Sequence, residues 1–400
     1  MDAIQYLKDN WDLCVRENKA DSGTLIGMPY KYTVPSPEFF NAMYYWDTYF
    51  TNIGLIKLGK AELAKNNVDN MLYMVDKYGF MPNGNRTFYL SRSQPPFLSE
   101  MVKDIFSYYN DRAWLSGAYS ALEKEYEFWQ NKRNSPIGLN HYDSYIATDE
   151  AKEIASALAD RLKVRPECSD FDFARHYYAT AESGWDMNPR WEFEAYNYAS
   201  IELNSLLYGF ENNMAFFADI LGNDSAIWKY RAGKRLMRMN KYLINKDNIF
   251  TDYNYVSEKQ SSIFSAASYF PLFNCVASSE QAKSLADNLD RLEEKFGVST
   301  CEKSNSGITY QWDYPNGWAC LQYIIIVGFK NYGYDNIAKR IAEKYVAAAE
   351  RVFNETHNFW EKYNITDGSI NVTDEYKMPT MLGWSAGIYV YAKDLLNQLK

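Results

Sequence analysis

The 400-residue sequence has few of the residues that mark disulfide-rich or metal-binding proteins. Its five cysteines are odd in number and show no CxxC spacing, so they indicate neither a disulfide framework nor a thiolate metal site. The three histidines do not cluster with Asp and Glu at metal-ligand spacing. We therefore expect no metal and no cofactor.

Basic charge and long apolar runs are also scarce. Lysine and arginine total 42 against 51 acidic residues, and this net charge of −9 argues against a nucleic-acid partner, because phosphate binding needs clustered cations. The most apolar run, near 321–327, is much shorter than the roughly 18 residues of a membrane span, so no membrane partner is expected. The first residues carry both charge signs and lack a signal-peptide core, from which we expect a cytoplasmic protein, and a monomer.

Aromatic residues, by contrast, are abundant. They make up 17% of the chain, with 35 Tyr, 22 Phe and 11 Trp, which is more than a core of this size requires. Some of them are expected to line a binding cleft, and a large aromatic core is the alternative explanation.

Apolar residues recur at helical spacing, and the helical segments mostly follow one another in pairs joined by short turns. The predicted segments are 3–19, 53–58, 61–77, 97–110, 112–132, 145–163, 195–221, 224–245, 277–296, 318–332, 334–356 and 384–399. About twelve such helices are what an (α/α)6 toroid needs, so we predict an all-α fold of this kind in a single domain, 1–400. The long intervening segments, such as 79–96 and 164–192, are predicted to be active-site loops at one end.

The stretch 182–191 concentrates reactive side chains in one such loop. It holds Glu182, Trp185, Asp186 and Arg190, and its glycine and proline disfavour a regular helix or strand. Tryptophan offers a flat face to a sugar ring, while carboxylate and guanidinium groups bind hydroxyls. The stretch therefore predicts a carbohydrate site centred on Asp186, although an aromatic-rich turn packed on a core has the same composition.

Further loop clusters carry similar side chains. Their candidate residues are Asn83, Arg92 and Gln94 in 82–96, Arg165 and Glu167 in 165–167, Trp312 and Asp313 in 311–318, and Glu361, Glu375 and Trp384 in 358–384. Asn83 and Arg92 can bond neighbouring hydroxyls directionally, while an ordinary Asn-Gly turn is the alternative for that loop. Five such clusters, all between helices, are difficult to explain by packing alone.

Seven segments occur in a familiar order between about residues 35 and 390: YYWDTYF, PNGNRTFYLSRSQPP, RPE, ESGWDMNPRW, QWDYPNGWA, EKYN and GWSAG. Together they resemble the segments that define the trehalase-type glycoside hydrolases of family 37, whose relatives in family 63 share the (α/α)6 barrel. The resemblance implies that Asp186 is the general acid and Glu361 the general base of an inverting hydrolase. An inverting enzyme needs two carboxyl groups about 6.5–9.5 Å apart, one protonated and one activating water.

The resemblance also implies which residues bind substrate. The expected sugar-pocket residues are Trp46, Asp47, Asn83, Arg92, Arg165, Glu167, Trp312 and Asp313, with Glu375 near the leaving-group sugar. Neighbouring residues of the same clusters complete the expected set: Gln94, Trp185, Arg190 and Trp384. Because Asp186 lies among indoles, desolvation is expected to raise its pKa.

Two features depart from the family pattern. Phe39 stands where these enzymes commonly have an arginine that contacts substrate, and residues 366–373 replace a glycine-rich lid. The expected reaction is hydrolysis of an α-glucosidic bond, first of all α,α-trehalose to two glucose molecules. A small α-glycoside such as glucosylglycerate or mannosylglycerate is the alternative, with Arg86 or Arg190 binding its acid group. A non-catalytic sugar-binding protein, or a lyase or epimerase on the same toroid, is a further alternative.

Overall fold

The computed structural model describes residues 2–303, 308, 310–372, 377–381 and 383–399. Helices account for most of the regular structure in these residues. They are α1 (Ala3–Asn10), α2 (Tyr45–Lys57), α3 (Ala61–Tyr78), α4 (Leu98–Tyr109), α5 (Arg112–Lys132), α6 (Ala151–Leu162), α7 (Asp170–Glu182), α8 (Ile201–Leu221), α9 (Ala226–Tyr242), α10 (Phe270–Phe273), α11 (Ser279–Asp287), α12 (Ala319–Asn331), α13 (Asp335–Thr356) and α14 (Trp384–Gln398).

Six of the described helices form a closed inner ring. Helix α2 contacts α4, α4 contacts α8, α8 contacts α10, α10 contacts α12, α12 contacts α14, and α14 returns to α2. Helices α3, α5, α9 and α13 each pack against the inner helix that precedes them in the chain. The arrangement is an (α/α)6 toroid, as the paired helical segments predicted.

Burial separates the inner helices from the outer helices. Inner helices α8 and α12 are buried on nearly all faces, whereas outer helices α9 and α13 bury one stripe of residues. A helix that is apolar all round belongs in an interior, and a striped helix belongs at a surface. None of the described helices is both long and apolar enough to cross a bilayer.

Local chemistry sets many of the helix ends. Asp111 caps α5 by accepting a hydrogen bond from the backbone N–H of Trp114. Ser278 and Gln281 form a reciprocal capping box at the start of α11. Gly222 ends α8 in the left-handed conformation that glycine adopts without strain.

The predicted helix boundaries are wrong in several places; for example, the predicted segment 277–296 is helical only over Ser279–Asp287, and 145–163 only over Ala151–Leu162. Residues 164–192 were expected to be a loop, but they contain α7, whose first turn is capped by the Ser169 side chain. Helix α10 escapes prediction because its four residues are too few to show a helical period. Helix α1 ends at Asn10, well before residue 19, because a 3-10 turn follows it.

The strands are only two or three residues long. They are β1 (Val15–Arg16), β2 (Tyr32–Thr33), β3 (Tyr198–Ala199), β4 (Tyr253–Asn254), β5 (Lys259–Gln260), β6 (Glu293–Glu294), β7 (Gly297–Val298), β8 (Asn316–Trp318) and β9 (Lys362–Asn364). Strands β8 and β9 pair antiparallel, with Trp318 opposite Lys362. This pairing holds the segment before α12 beside the segment that contains Glu361.

Candidate active site

A cavity lies where several inner helices begin. Its wall includes Trp46 and Asp47 in the first turn of α2 and Trp384 at the start of α14. Gln94, shortly before α4, and Trp318, which precedes α12 directly, also line it. The inner ring therefore brings loops that are distant in sequence to one end of the toroid.

Most of the predicted site residues meet in this cavity. The predicted residues that line it are Trp46, Asp47, Asn83, Arg92, Gln94, Asp186, Trp312, Glu361 and Trp384. They come from loops and from the first turns of inner helices, spread across more than three hundred residues of sequence. Carboxyl, guanidinium, amide and indole groups thus surround one space, which is the mixture that a sugar-binding cavity requires.

Asp186 follows the end of α7 on a sharply bent backbone. Gly184 and Met187 have positive φ angles of 73° and 38°. The backbone N–H of Trp312 donates to the carbonyl of Met187 at 3.2 Å, and this hydrogen bond connects the Asp186 loop to the segment 311–318. The bend presents the Asp186 side chain to the cavity while Trp185, beside it, is buried.

Glu361 lies on the cavity wall one residue before β9. Its carbonyl accepts hydrogen bonds from Nε1–H of Trp384 at 3.1 Å and from the hydroxyl of Ser385 at 3.3 Å. Its carboxylate accepts a hydrogen bond from Nζ of Lys362 at 2.9 Å. The pairing of β9 with β8 and the start of α14 therefore both hold this residue in position.

Three carboxyl groups line the cavity and influence one another's protonation. Burial raises the pKa of Asp186, and the nearby cations of Arg92 and Arg161 partly oppose that rise. The Glu361 carboxyl adds to it. Burial also raises the pKa of Asp47 to about 7, with a backbone hydrogen bond opposing the rise and the Glu361 and Asp186 carboxyls reinforcing it. A carboxyl with a raised pKa can keep a proton near neutral pH.

Four indoles form much of the apolar wall. The rings of Trp312 and Trp318 stack with centroids 3.8 Å apart and planes inclined by 3°. Trp384 meets Trp318 edge to face at 5.6 Å, and Trp46 lies 5.6 Å from Trp312. These rings provide flat apolar faces of the kind on which sugar rings stack.

The loop that carries Asn83, Arg92 and Gln94 is anchored to the start of α2. The backbone N–H of Tyr45 donates to the Asn83 carbonyl at 3.0 Å, and that of Trp46 donates to Oε1 of Gln94 at 3.2 Å. The guanidinium of Arg92 lies over the ring of Tyr89, 5.3 Å from its centroid. These contacts hold directional hydrogen-bonding groups at the cavity edge.

Some predicted residues support the wall from behind. Trp185 is fully buried, and its ring stacks on that of Trp312 with centroids 5.5 Å apart. Trp312 itself lines the cavity. The carboxylate of Asp313 accepts a hydrogen bond from the backbone N–H of Tyr314 at 2.7 Å, and burial raises its pKa to about 6. Neither side chain is among the described residues that line the cavity.

Arg190 belongs to a buried ion-pair network and does not line the cavity formed by the described residues. Its guanidinium binds Glu202 at 2.6 Å and Asp252 at 2.9 Å. It also lies over the rings of Trp185 and Trp191, at 4.4 and 4.5 Å. A buried guanidinium needs such partners, so this residue anchors the loop that follows Asp186.

Three other candidate residues are not among the described residues that line the cavity. Arg165 and Glu167 are exposed, and Arg165 pairs with Asp170 in the first turn of α7. The guanidinium of Arg86 donates to Thr24 and to the carbonyl of Asn41, both at 3.0 Å. Glu375 lies outside the described residues.

The cavity also contains residues that were not predicted. They are Phe40, Tyr44, Tyr89, Tyr177, Ala181, Gly184, Gln311, Trp318 and Met381. Tyr44, Tyr89, Gln311 and Trp318 belong to segments already singled out, so those segments supplied the signal. Tyr177 lies on α7, a helix that was mistaken for a loop, and it had no comparable signal. Within the described part of the chain, no group of three His, Cys, Asp or Glu is arranged to hold a metal ion.

Comparisons with known proteins find trehalases. The family model described as Trehalase matches residues 2–397. The periplasmic trehalase of Xanthomonas axonopodis pv. citri (strain 306) is 33% identical over 392 residues, which cover 91% of this chain and 68% of that protein. The solved neutral trehalase of Saccharomyces cerevisiae is 28% identical with a TM-score of 0.81, over 100% of this chain and 80% of that one.

A more distant solved structure shares the fold. It is the family 63 mannosylglycerate hydrolase of Thermus thermophilus in complex with glucose, 14% identical with a TM-score of 0.67 over 98% of each chain. The Xanthomonas relative corrects one expectation: the cytoplasmic location inferred from the first residues is wrong, because that relative is a periplasmic protein. From the family match and this relative together, the chain belongs to the trehalase family and is a glycoside hydrolase.

Proposed function

We propose that this glycoside hydrolase cleaves α,α-trehalose into two glucose molecules with inversion at one anomeric carbon. The observation that carries the proposal is a single cavity in which Asp186 and Glu361 accompany stacked indoles. Relatives that are named trehalases support the choice of substrate. All 400 residues would form one catalytic domain, since the inner ring closes from α2 to α14.

In the proposed reaction, protonated Asp186 gives its proton to the glycosidic oxygen as the bond to the anomeric carbon breaks. A water molecule attacks that carbon from the opposite face, and the Glu361 carboxylate takes the water's proton. The raised pKa of Asp186 supports the acid role, because it favours the protonated form that the step consumes. Both carboxyls exchange protons with solvent after the products leave.

The remaining cavity residues would bind the sugars. Trp312, Trp318 and Trp384 offer apolar surface to the sugars, while Arg92, Asn83 and Gln94 offer donors to the hydroxyl groups. Arg165, Glu167 and Asp313, predicted as sugar contacts from the resemblance, have less support because they lie away from the described cavity wall. Trp185 and Arg190 would act indirectly, through Trp312 and the Asp186 loop.

A glycosyl unit linked to glycerate remains the second candidate substrate. The similarity to the mannosylglycerate hydrolase is a similarity of fold and does not by itself support a shared substrate. The two cations considered for the acid group, Arg86 and Arg190, are engaged with other protein groups. Trehalose is therefore the better supported substrate.

The test is release of free sugar by the purified protein: glucose from trehalose, kojibiose and glucosylglycerate, and mannose from mannosylglycerate. Asp186→Asn and Glu361→Gln should each lower turnover of trehalose by roughly 10²–10⁴-fold. Asp394→Asn, at a surface ion pair with Lys57, is the matched control and should retain activity. Full activity of Asp186→Asn would remove it as the acid, and activity confined to another substrate would reject trehalose.

Early product stereochemistry tests the inverting route. Inversion releases one β-glucose and one α-glucose from each trehalose, because only the attacked carbon changes configuration. Proton NMR in the first minutes, before mutarotation, should then show the two anomers in equal amounts. Two α-glucose molecules would instead indicate a retaining enzyme.

A further inference from the structure

The ammonium group of Lys362 lies beside the Glu361 carboxylate in the interior of the protein. Nζ is 2.9 Å from Oε2, and the two side chains expose 0% and 3% of their surface. A buried lysine is expensive to desolvate unless an anion accompanies it. The contact therefore gives each of these buried side chains a partner of opposite charge.

The same ammonium group also lies over an indole ring. Nζ lies 4.8 Å from the ring of Trp318, which stacks on Trp312 in the cavity wall. Such a cation over an indole face gains further electrostatic stabilisation. Because β8 and β9 pair with Trp318 opposite Lys362, the backbone also keeps the cation at this position.

Glu361 is held by its backbone independently of Lys362. Its carbonyl accepts hydrogen bonds from Trp384 and Ser385 at the start of α14. Loss of the ammonium group would leave these backbone bonds in place. The contribution of Lys362 is thus directed at the carboxylate, at its charge and its orientation.

We infer that Lys362 is a positioning residue that keeps the Glu361 carboxylate ionised and oriented toward the cavity. The inference rests on the proposed role of Glu361 as the general base. A base must be unprotonated before it can accept the proton of water. Lys362 does not touch the reacting atoms; it acts through Glu361.

Other ionisable groups near Glu361 make this cation necessary. Asp47 from α2 and Asp186 from the loop after α7 are both carboxyls that interact with Glu361. The thiol of Cys320 on α12 is a further ionisable neighbour. Each of these groups, when ionised, opposes a negative charge on Glu361, whereas Lys362 favours it.

Substitution of Lys362 by methionine tests the inference, since methionine has a side chain of similar length without the positive charge. We expect the acidic limb of the kcat/KM profile to move up by about one pH unit or more, because Glu361 would take a proton at higher pH. At pH values well below the limb, kcat should fall about tenfold for each unit of that shift, while KM changes little. Lys362→Arg, which retains a cation, should restore the acidic limb.

Lys344→Met is the matched control. Lys344 lies on α13 and also forms an ion pair, with Glu293 at 2.6 Å. It is not among the described residues that line the cavity. This variant should leave the pH profile unchanged. A folded Lys362→Met enzyme with an unshifted acidic limb would overturn the inference.

Two further variants keep the test decisive. If Lys362→Met does not fold, as judged by circular dichroism, then Lys362→Gln carries the same expected shift. Glu361→Gln separates the two proposals, because retained turnover in that variant would refute the general base itself. If Glu361→Gln is inactive and Lys362→Met is unshifted, only the role of Lys362 is rejected.

Discussion

Gly184 lies beside the indole of Trp46 with no room for a side chain between them. A β-carbon at position 184 would lie only 2.7 Å from Cε2 of that ring, and the backbone there has a φ of +73°. Both features require glycine. The contact links the loop that carries Asp186 to the first turn of α2, where Trp46 lines the cavity.

Gly184→Ala should therefore damage both stability and activity. Left-handed strain should cost roughly 1–2 kcal/mol and overpacking about 1–3 kcal/mol more. Displacement of the Asp186 loop should lower kcat/KM by roughly tenfold to hundredfold. Gly222→Ala is the control, because Gly222 has a φ of +81° and no atom within 4 Å of the added carbon. Urea unfolding and kcat/KM measure the effects, and equal losses in the two variants would contradict the argument.

Arg92→Gln should shift the alkaline limb of the kcat/KM profile to higher pH. Burial raises the pKa of Asp186, and the Arg92 cation partly opposes that rise. Without the Arg92 cation the pKa of Asp186 should therefore rise further. The acid then keeps its proton to higher pH, even though loss of a substrate contact lowers kcat/KM overall. Arg165→Gln, at an exposed ion pair, should leave both limbs in place. A downward shift in Arg92→Gln would show that the electrostatic assignment is incorrect.

Asp47→Asn should increase thermal stability at alkaline pH while lowering activity. Burial raises the Asp47 pKa to about 7, above the ordinary value near 4, so ionisation of this group weakens the fold as pH rises through that interval. The variant should melt roughly 2–4 °C higher than wild type at pH 8, with a smaller gain at pH 5. Calorimetry at the two pH values measures the difference. A gain that is the same at both, or larger at pH 5, would argue against it.

Arg190→Met should unfold far more readily than wild type. It leaves the carboxylates of Glu202 and Asp252 buried without their cation, which typically costs about 3–5 kcal/mol. Arg165→Met removes only a surface ion pair and should cost about 1 kcal/mol or less. Urea unfolding measures both. Equal stability of the two variants would indicate that Arg190 is not a structural anchor.

The fold class could be predicted because most helices carry a long apolar period. Helices α5 and α13 match the predicted segments 112–132 and 334–356 almost residue for residue. Helix α7 was missed because Gly184 and Pro189, at or beyond its end, made the whole of 164–192 look irregular. A turn signal marks where a helix stops, but it does not reveal how far the helix extends before it.

The candidate site could be predicted in part. Asp186, Glu361 and Trp312 lie in compact motifs, and all three line the cavity. Arg165 and Glu167 lie in an equally recognisable motif but are exposed in the structure. The motif identified a loop, whereas the ion pair with Asp170 at the start of α7 decides which way Arg165 faces.

Helical period and motif order are local properties of the chain, so the amino-acid sequence was enough to establish the helical architecture, the family and the loops from which the site is built. Which loop cations reach the cavity depends on tertiary packing. Arg92 lines it, while Arg190 turns to Glu202 and Asp252, which are 12 and 62 residues away in sequence. A guanidinium is stable in the interior only beside carboxylates, and the packing of distant helices determines which carboxylates come within reach.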